Sequence, residues 1–576
     1  MKKTGAWLTV YALEQLGIRY TFGIPGVHNT EIYDELNKSG SITPILVTHE
    51  AGGAFMADAI SRTTSDVGCM VIVPAAGMTH ALSGIGEAWL AGIPMLIVSG
   101  GIRTDTGRSY QLHDIDQHSL LRGITKKSVL VTSHNDIVPA LFDAYTTAIS
   151  GEPGPVFVEI PVNIQLFKGE IENLPHYIEE SSKPDAYRSH LEQVVELLIK
   201  AENPGILAGW GAHKASGSLV RLAEKLGAPV ATSLQGLGVF PGNHPLHAGM
   251  GFGAYAVPAA EEAFKNCDLL FAVGVRFGEI ATGSFGMDVP ERLIHVDIND
   301  QVFNRNYPAE VTLHGDSDEV LSLLLEKLGD FSSEERRRKC EEVIAAGKER
   351  YRLEWEEAAD GKRVNPWLFF RELRSLLKDD AIFVADDGNH TFLAAELLEI
   401  RGSGQFISPT DFNCMGYCVP ASVGAKIGNP KKQVAGICGD GAFLMTGMEL
   451  LTASEQKAGV MIFVFNDGEL SQISQGQDIP YNRKVCTRLG KVNFEGVAIA
   501  TGAAYVRIER DNEIRNGIEK ALQDSDRGRP VLVDLFIDYR KATRFTKGIV
   551  KTNLDRFPLK EKIRFVSRAL VRKITG

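Results

Sequence analysis

At 576 residues the chain is longer than a single hydrophobic core serves, which predicts three or four domains of ordinary size. Its composition, 44% hydrophobic and 23% charged, excludes disordered, fibrous and coiled-coil classes. A net charge of −11 argues against a general nucleic-acid surface, and the absence of any run of about 18 apolar residues argues against a membrane-spanning helix.

The opening MKKTGAWLTVYALEQLG is expected to form the first amphipathic helix of a domain rather than a secretion signal, because Thr9, Glu14 and Gln15 interrupt its apolar positions. Short apolar runs then alternate with longer 3.6-period stretches, the pattern of parallel sheets covered by helices. In the first block the strand-like runs are VGCMVIVP (67–74), PMLIVSG (94–100), KKSVLV (126–131) and PVFVEIP (155–161), with helices expected over 81–91 and 137–149. The block ends near residue 180 in the polar stretch PHYIEESSKPDAYRS, whose composition suits a linker. A second block, 190–325, repeats the alternation through GILAGW (205–210), PVATS (229–233), DLLFAVG (268–274) and RLIHVDI (292–298). The charge-rich segment that follows predicts a solvated long helix or helix pair bridging two domains. A third block, 365–545, opens at Asn365-Pro366 and carries AIFVADDG (381–388), QVAGICGDG (433–441), VMIFVFNDG (460–468) and PVLVDLFID (530–538). The expected fold is α/β, with three doubly wound parallel-sheet domains in series. From Arg540 to Gly576 there are twelve Lys/Arg against two Asp/Glu, and Ile563, Val566, Leu570 and Ile574 share one face of a last helix. The tail, 546–576, is expected to pack across a neighbouring domain, with an anionic membrane or cofactor as the alternative partner. The seven cysteines are scattered and complete no zinc pattern, which predicts reduced thiols in a cytoplasmic protein.

The chemistry concentrates in the third block. In open parallel sheets ligands bind beyond the carboxyl ends of the strands, where Gly439-Asp440-Gly441 and Asn466-Asp467-Gly468 both fall. The helix expected between them brings its N-terminal amides, near Ala442 to Thr446, to the same edge, where they favour phosphate oxygens. Asp440 supplies a hard anionic ligand, Asn466 an amide oxygen and Gly468 a carbonyl. An all-oxygen set of this kind suits Mg²⁺ better than zinc. The two turns together describe a metal–diphosphate clamp.

GDG followed after about 24 residues by an Asn-Asp-Gly turn resembles the thiamine-diphosphate signature of the acetolactate synthase, pyruvate oxidase and pyruvate decarboxylase superfamily. FGIPG (22–26) and HEAGGAFMADAISR (49–62) resemble the opening of its pyrimidine-binding domain, DDGNH (386–390) and MGYCVPASVGA (415–425) the entrance to its diphosphate domain. The resemblance implies that the three domains are pyrimidine-binding (1–180), central (190–325) and diphosphate/Mg-binding (365–545). It implies that Glu50 hydrogen-bonds the aminopyrimidine ring and drives its imino tautomer, and that Met415 lies beneath the bent cofactor. Cofactor contacts fall on Pro25, Gly388, Asn389, His390, Asn413, Gly439, Gly441, Ala442, Glu469 and Leu470, and the metal set on Asp440, Asn466 and Gly468. The coenzyme is implied to be thiamine diphosphate with Mg²⁺, in a homodimer or homotetramer whose active site lies at the subunit interface. FAD is left open: GWGAH (209–213) and VGVRFG (273–278) could touch it, yet RFGEI (276–280) departs from the flavin-contacting RFDDR.

Overall similarity is greatest to the acetolactate synthase large chain, through Tyr110-Gln111, Asp116, ITK (124–126) and MTGMELLTA (445–453). The implied reaction decarboxylates a 2-keto acid such as pyruvate and transfers the hydroxyalkyl unit to a second carbonyl. Departures point elsewhere. AAGMTH introduces His80, LHDID introduces His113, and SQGQD places Gly476 near the tryptophan that recognises the second keto acid in the synthase. That tryptophan is therefore missing here, with Gly476 in its place. With His28 directly after FGIPGV, three imidazoles flank the implied cofactor, and imidazole titrates near neutrality. His28, His80, His113 and Gln111 therefore join Glu50 as catalytic candidates. The alternative they support is a thiamine-diphosphate-dependent decarboxylase or a 1,2-diketone carbon–carbon hydrolase, similar to the enzyme that opens cyclohexane-1,2-dione.

Overall fold

The computed structural model describes residues 1–179, 185–253 and 256–575, so residues 180–184 of the expected linker lie outside the described residues. Each block folds into a six-stranded sheet whose paired strands run parallel. Central strands such as Gly68–Ile72 and Met461–Phe465 are buried at every residue, because helices cover both faces of the sheet. With the strands of each domain counted in chain order, the first and third sheets share the order 2-1-3-4-6-5, and the middle sheet has the order 3-2-1-4-5-6. The chain start is tied down separately: Lys2–Thr4 pairs antiparallel with Lys168–Glu170.

Strand order reverses beside the first strand of every domain, and such a switch point opens a crevice at the carboxyl edge. In the first domain Tyr20–Gly23 lies beside Gly68–Ile72, so the loop bearing His28 and the helix bearing His80 follow adjacent strands. In the third, Ile382–Ala385 pairs with Val434–Gly439, which sets Asp386-Asp387-Gly388 beside Asp440. In the middle domain Pro204–Ala208 pairs with Leu269–Val273, and a glycine, Gly209 or Gly274, follows each strand.

The first and third domains meet through helix Glu50–Thr63 packed on helix Cys418–Gly428. The approach requires small residues: a Cβ on Gly424 would lie 2.4 Å from the Met56 carbonyl oxygen. Buried charges at the seam are paired, as their desolvation demands. Arg62 meets Asp58 at 2.7 Å and Glu87 at 3.4 Å, and the Tyr417 hydroxyl donates to Asp58 at 2.6 Å.

The charge-rich segment is one 23-residue helix, Glu334–Glu356, solvated except at Ile344, Gly347, Tyr351 and Trp355. In the tail, Phe545 opens helix Arg544–Arg556 and stacks on Phe392 at 4.5 Å. The last helix, Leu559–Thr575, packs on helix Ser471–Tyr481, with the Arg568 and Arg572 guanidinium groups over the Tyr481 ring. Ile563 and Leu570 stay more than half exposed, and the side chains of Val566 and Ile574 lie outside those described. No helix among the described residues is long and apolar enough to cross a membrane.

Candidate active site

A cleft of about 670 Å³ opens at the switch point of the third sheet. Gly388, Asn389, His390, Asn413, Met415, Gly439, Asp440, Gly441, Ala442, Glu469 and Leu470 line it, so sequence reasoning gathered most of one wall. Strand Val434–Gly439 delivers Asp440 as the first residue of helix Asp440–Thr446. The Asp440 carboxylate ties the two glycine turns together, accepting from the Gly441 N–H at 2.8 Å, Gly468 N–H at 2.7 Å and Asp467 N–H at 3.2 Å. Burial pushes its pKa up to about 6 against the pull of these donors, and the neighbouring Asp467 adds to the rise. Asp386 supports the opposite wall, where its buried carboxylate accepts the Asp387, Gly416 and Cys418 N–H groups and fixes the loop that carries Met415.

Two members of the expected metal set make contacts within the protein. The Asn466 amide N–H donates to Asp534 at 2.7 Å, a bond that does not use the Oδ1 expected to face the metal. The Gly468 carbonyl accepts from the Leu489 N–H at 2.9 Å, and Gly468 meets Asp440 through its own N–H. The side chain that lines the cleft from this turn is Asp467, whose carboxylate burial also pushes up. Paired carboxylates beside one another favour a hard divalent cation, which offsets their repulsion.

The arrangement fits a diphosphate bound through Mg²⁺. Asp440 and Asp467 form an all-oxygen pair, and Nε2 of buried His390 has no hydrogen-bond partner. Burial pushes the His390 ring down to about 3, so it is neutral without an anion, and a phosphate oxygen would favour its protonation. Glycine is favoured at 468, where φ is 77°, and at 441 a Cβ would lie 2.4 Å from Leu470 Cδ2, so that side chain would have to turn aside.

The first-domain candidates form a separate group at their own carboxyl edge, and none of them lines the cleft. Glu50 begins helix Glu50–Thr63 and is 6% exposed. Its Oε2 lies 3.0 Å from His80 Nδ1, and a Cβ on Gly77 would meet its Oε1 at 3.1 Å. Glu449 of the third domain holds the approach to Glu50, accepting the Thr48 and His49 N–H groups, each at 3.1 Å. Sequence reading quoted MTGMELLTA (445–453) only for its resemblance and assigned no role to Glu449, whose burial at 1% exposure only the fold reveals. His28 and His113 form a second pair, Nδ1 to Nδ1 at 3.1 Å, and burial with the His113 neighbour lowers the His28 pKa. Pro25 is exposed in the loop before them. Gln111 is not brought to Glu50: its amide donates to the Arg103 and Arg108 carbonyls and closes its own loop.

A third crevice, at the switch point of the middle sheet, is lined by Gly211, Gly274, Arg276 and Asp297. Its strand order is that of dinucleotide-binding folds. Arg276 crosses to Glu152 of the first domain at 3.3 Å and to Asp411 of the third at 2.9 Å.

Comparison with known proteins agrees with this geometry. Residues 3–120 match the thiamine pyrophosphate enzyme N-terminal TPP binding domain, 191–324 the central domain and 386–535 the C-terminal TPP binding domain. The acetolactate synthase large subunit of Corynebacterium glutamicum is 32% identical over 93% of this chain and 87% of that protein. The isozyme 3 large subunit of Escherichia coli is 29% identical over 93% and 95% of the two chains, and the probable large subunit of Methanocaldococcus jannaschii 30% over 93% and 92%. With three matched domains in the order the fold displays and relatives alike along nearly its full length, the chain belongs to the thiamine pyrophosphate enzyme family.

Proposed function

We propose that this is a thiamine-diphosphate- and Mg²⁺-dependent carboligase of acetolactate-synthase type, which decarboxylates a 2-keto acid such as pyruvate and transfers the hydroxyalkyl unit to a second carbonyl. The observation that carries the reading is the cleft lined by Asp440, Asp467 and His390, whose Nε2 has no hydrogen-bond partner among the described residues. Likeness to acetolactate synthase large subunits over 93% of the chain supports the choice of reaction. When bound, the coenzyme supplies the attacking carbon and the electron sink. Asp440 and Asp467 hold its metal, and His390 meets its phosphates. Glu50 holds a proton at the aminopyrimidine, and the hydrogen bond to His80 gives that proton a route outward. Because the cleft contains no first-domain residue, Glu50 is assigned to the site of a neighbouring copy, in a homodimer or homotetramer. Exposed Val27 and Leu112 near one group, and Met445 and Ile473 near the other, suit burial between copies.

A second reading is favoured by the His28–His113 hydrogen bond. A largely desolvated imidazole with a lowered pKa can take a proton from water, which suits a decarboxylase or a hydrolase of 1,2-diketones. Mass spectrometry of products from a panel of 2-keto acids and 1,2-diketones separates the two. Acetolactate from pyruvate supports the carboligase, and ring opening of a cyclic diketone without acetolactate replaces it by the hydrolase. FAD in the middle crevice is a further proposal, supported by strand order alone. A flavin absorption spectrum from the purified protein would assign it, and a colourless protein that binds no added FAD would leave the crevice as the seam closed by Arg276.

A further inference from the structure

We infer that His49, Glu50 and His80 form a binding site for a zinc-class transition-metal ion, distinct from the magnesium pair in the cleft. Each side chain offers one ligand atom, and all three atoms lie within 4.8 Å of one another. The group is built by two adjoining helix starts. His49 is the N-cap of helix Glu50–Thr63, its Nδ1 accepting the Ala51 N–H at 3.1 Å, and His80 lies in the first turns of helix Ala76–Ala91. The two imidazoles stack at 4.5 Å, which brings their edges to the same side of Glu50.

Two imidazoles and one carboxylate are a recurring three-ligand set for zinc with an open fourth position. Metal–ligand bonds of about 2.0–2.1 Å require donors roughly 3.4 Å apart in a tetrahedral site. His80 Nδ1 and Glu50 Oε2 already stand 3.0 Å apart, and the exposed imidazoles can rotate to close the remaining gap. Glu50 is buried and held at the helix start, so it is the fixed member on which the others converge.

The two candidate metal positions differ in kind. Asp440 and Asp467 offer oxygen alone, which suits magnesium, whereas imidazole selects zinc, cobalt, nickel or copper over magnesium. An excess of Mg²⁺ therefore fills one position and leaves the other to a trace transition metal. An ion bound to Glu50 withdraws the carboxylate from proton transfer and makes the protein zinc-inhibited. This consequence rests on the role proposed for Glu50; the binding site itself does not.

The test is calorimetric titration of Co²⁺ and Zn²⁺ into the full-length protein, free of coenzyme and in excess Mg²⁺, with the visible spectrum of Co²⁺ reporting its ligands. One ion per chain is expected. His49→Asn keeps an N-cap acceptor but loses the imidazole, and His80→Gln removes the other. Loss of a direct ligand costs at least what loss of an outer-shell partner does, so both variants should bind about 10–100-fold more weakly. No binding in excess Mg²⁺, or equal binding by the wild type and both folded variants, overturns the site. With coenzyme then added, a bound ion should slow deuterium exchange at the thiazolium C2. If the ion binds and exchange is unchanged, the metal site stands and the proposed role of Glu50 falls.

Discussion

Asp440 and Asp467 stand where two strand ends meet, and Asn466 turns its amide N–H to Asp534 on the neighbouring strand. Replacing Asp440 by Ala removes a charge from the metal pair and three acceptor contacts from the turns, so saturable Mg²⁺-dependent binding of thiamine diphosphate should disappear in calorimetry. Asp467→Ala should weaken that binding at least about tenfold. Asn466→Ala should cost about 1–3 kcal/mol of stability, because Asp534 loses a buried donor. An unchanged urea midpoint would contradict the weight given to that contact. Glu50→Gln should slow deuterium exchange at the thiazolium C2 by about 10²-fold with little change in coenzyme affinity, and near-normal exchange would remove Glu50 from the proton path. At this scale the sequence located the turns but not their geometry. A dipeptide such as Asn466-Asp467 does not say which side chain turns to the cleft and which back to the sheet. That is decided by the partner strand, which supplies Asp534.

Among the elements, the strands legible in advance were mostly those buried on both faces, where apolar residues run without interruption. Those missed are mainly edge strands. Thr43–Leu46, His247–Met250 and Val311–His314 carry partly exposed or polar positions, and each is the outermost strand of its sheet. A half-covered strand alternates over too few residues to stand out from a loop. The helix seam between the first and third domains was also illegible, because glycines in Gly52-Gly53 and Gly424 state only that something comes close, not what. The seam gives a direct prediction. Gly424→Ala pushes a methyl against the Met56 backbone and should lower stability by about 1–3 kcal/mol, read from the urea midpoint. Gly476→Ala, on an exposed face of helix Ser471–Tyr481 with no atom within 4 Å of the new Cβ, should raise it by up to about 1 kcal/mol. Equal effects of the two would contradict the packing described.

Across the whole molecule, the middle domain should be the one that yields to acid. Burial lowers the pKa of His213 to about 4, of His247 to about 3 and of His295 to about 4. The unfolded chain binds protons at these positions near 6.5 and the folded chain does not, so their stabilisation is present above pH 6.5 and is lost as pH falls towards 4. Within that window each group removes about 1.4 kcal/mol per pH unit. Asp297 opposes them: burial pushes its carboxyl up to about 7, so its contribution is present at low pH and is lost as pH rises from its unfolded value towards 7. Three groups against one leave a net loss on acidification. Hydrogen exchange should show strands Pro204–Ala208 and Leu293–Asp297 opening more readily at pH 5 than at pH 7.5, and equal protection would contradict these burials.

The central claim is that one coenzyme is held between Glu50 of one copy and Asp440 of another, and complementation tests it most directly. The Glu50→Gln and Asp440→Ala chains, each inactive alone, are unfolded, mixed in equal amounts and refolded, and Mg²⁺-dependent turnover of a 2-keto acid is measured. If the site spans two chains, half the dimers are mixed and each holds one intact site of two, so about a quarter of wild-type activity should return. If the site lies within one chain, every site in the mixture carries a lesion and activity stays at the level of the parents, which would contradict the account.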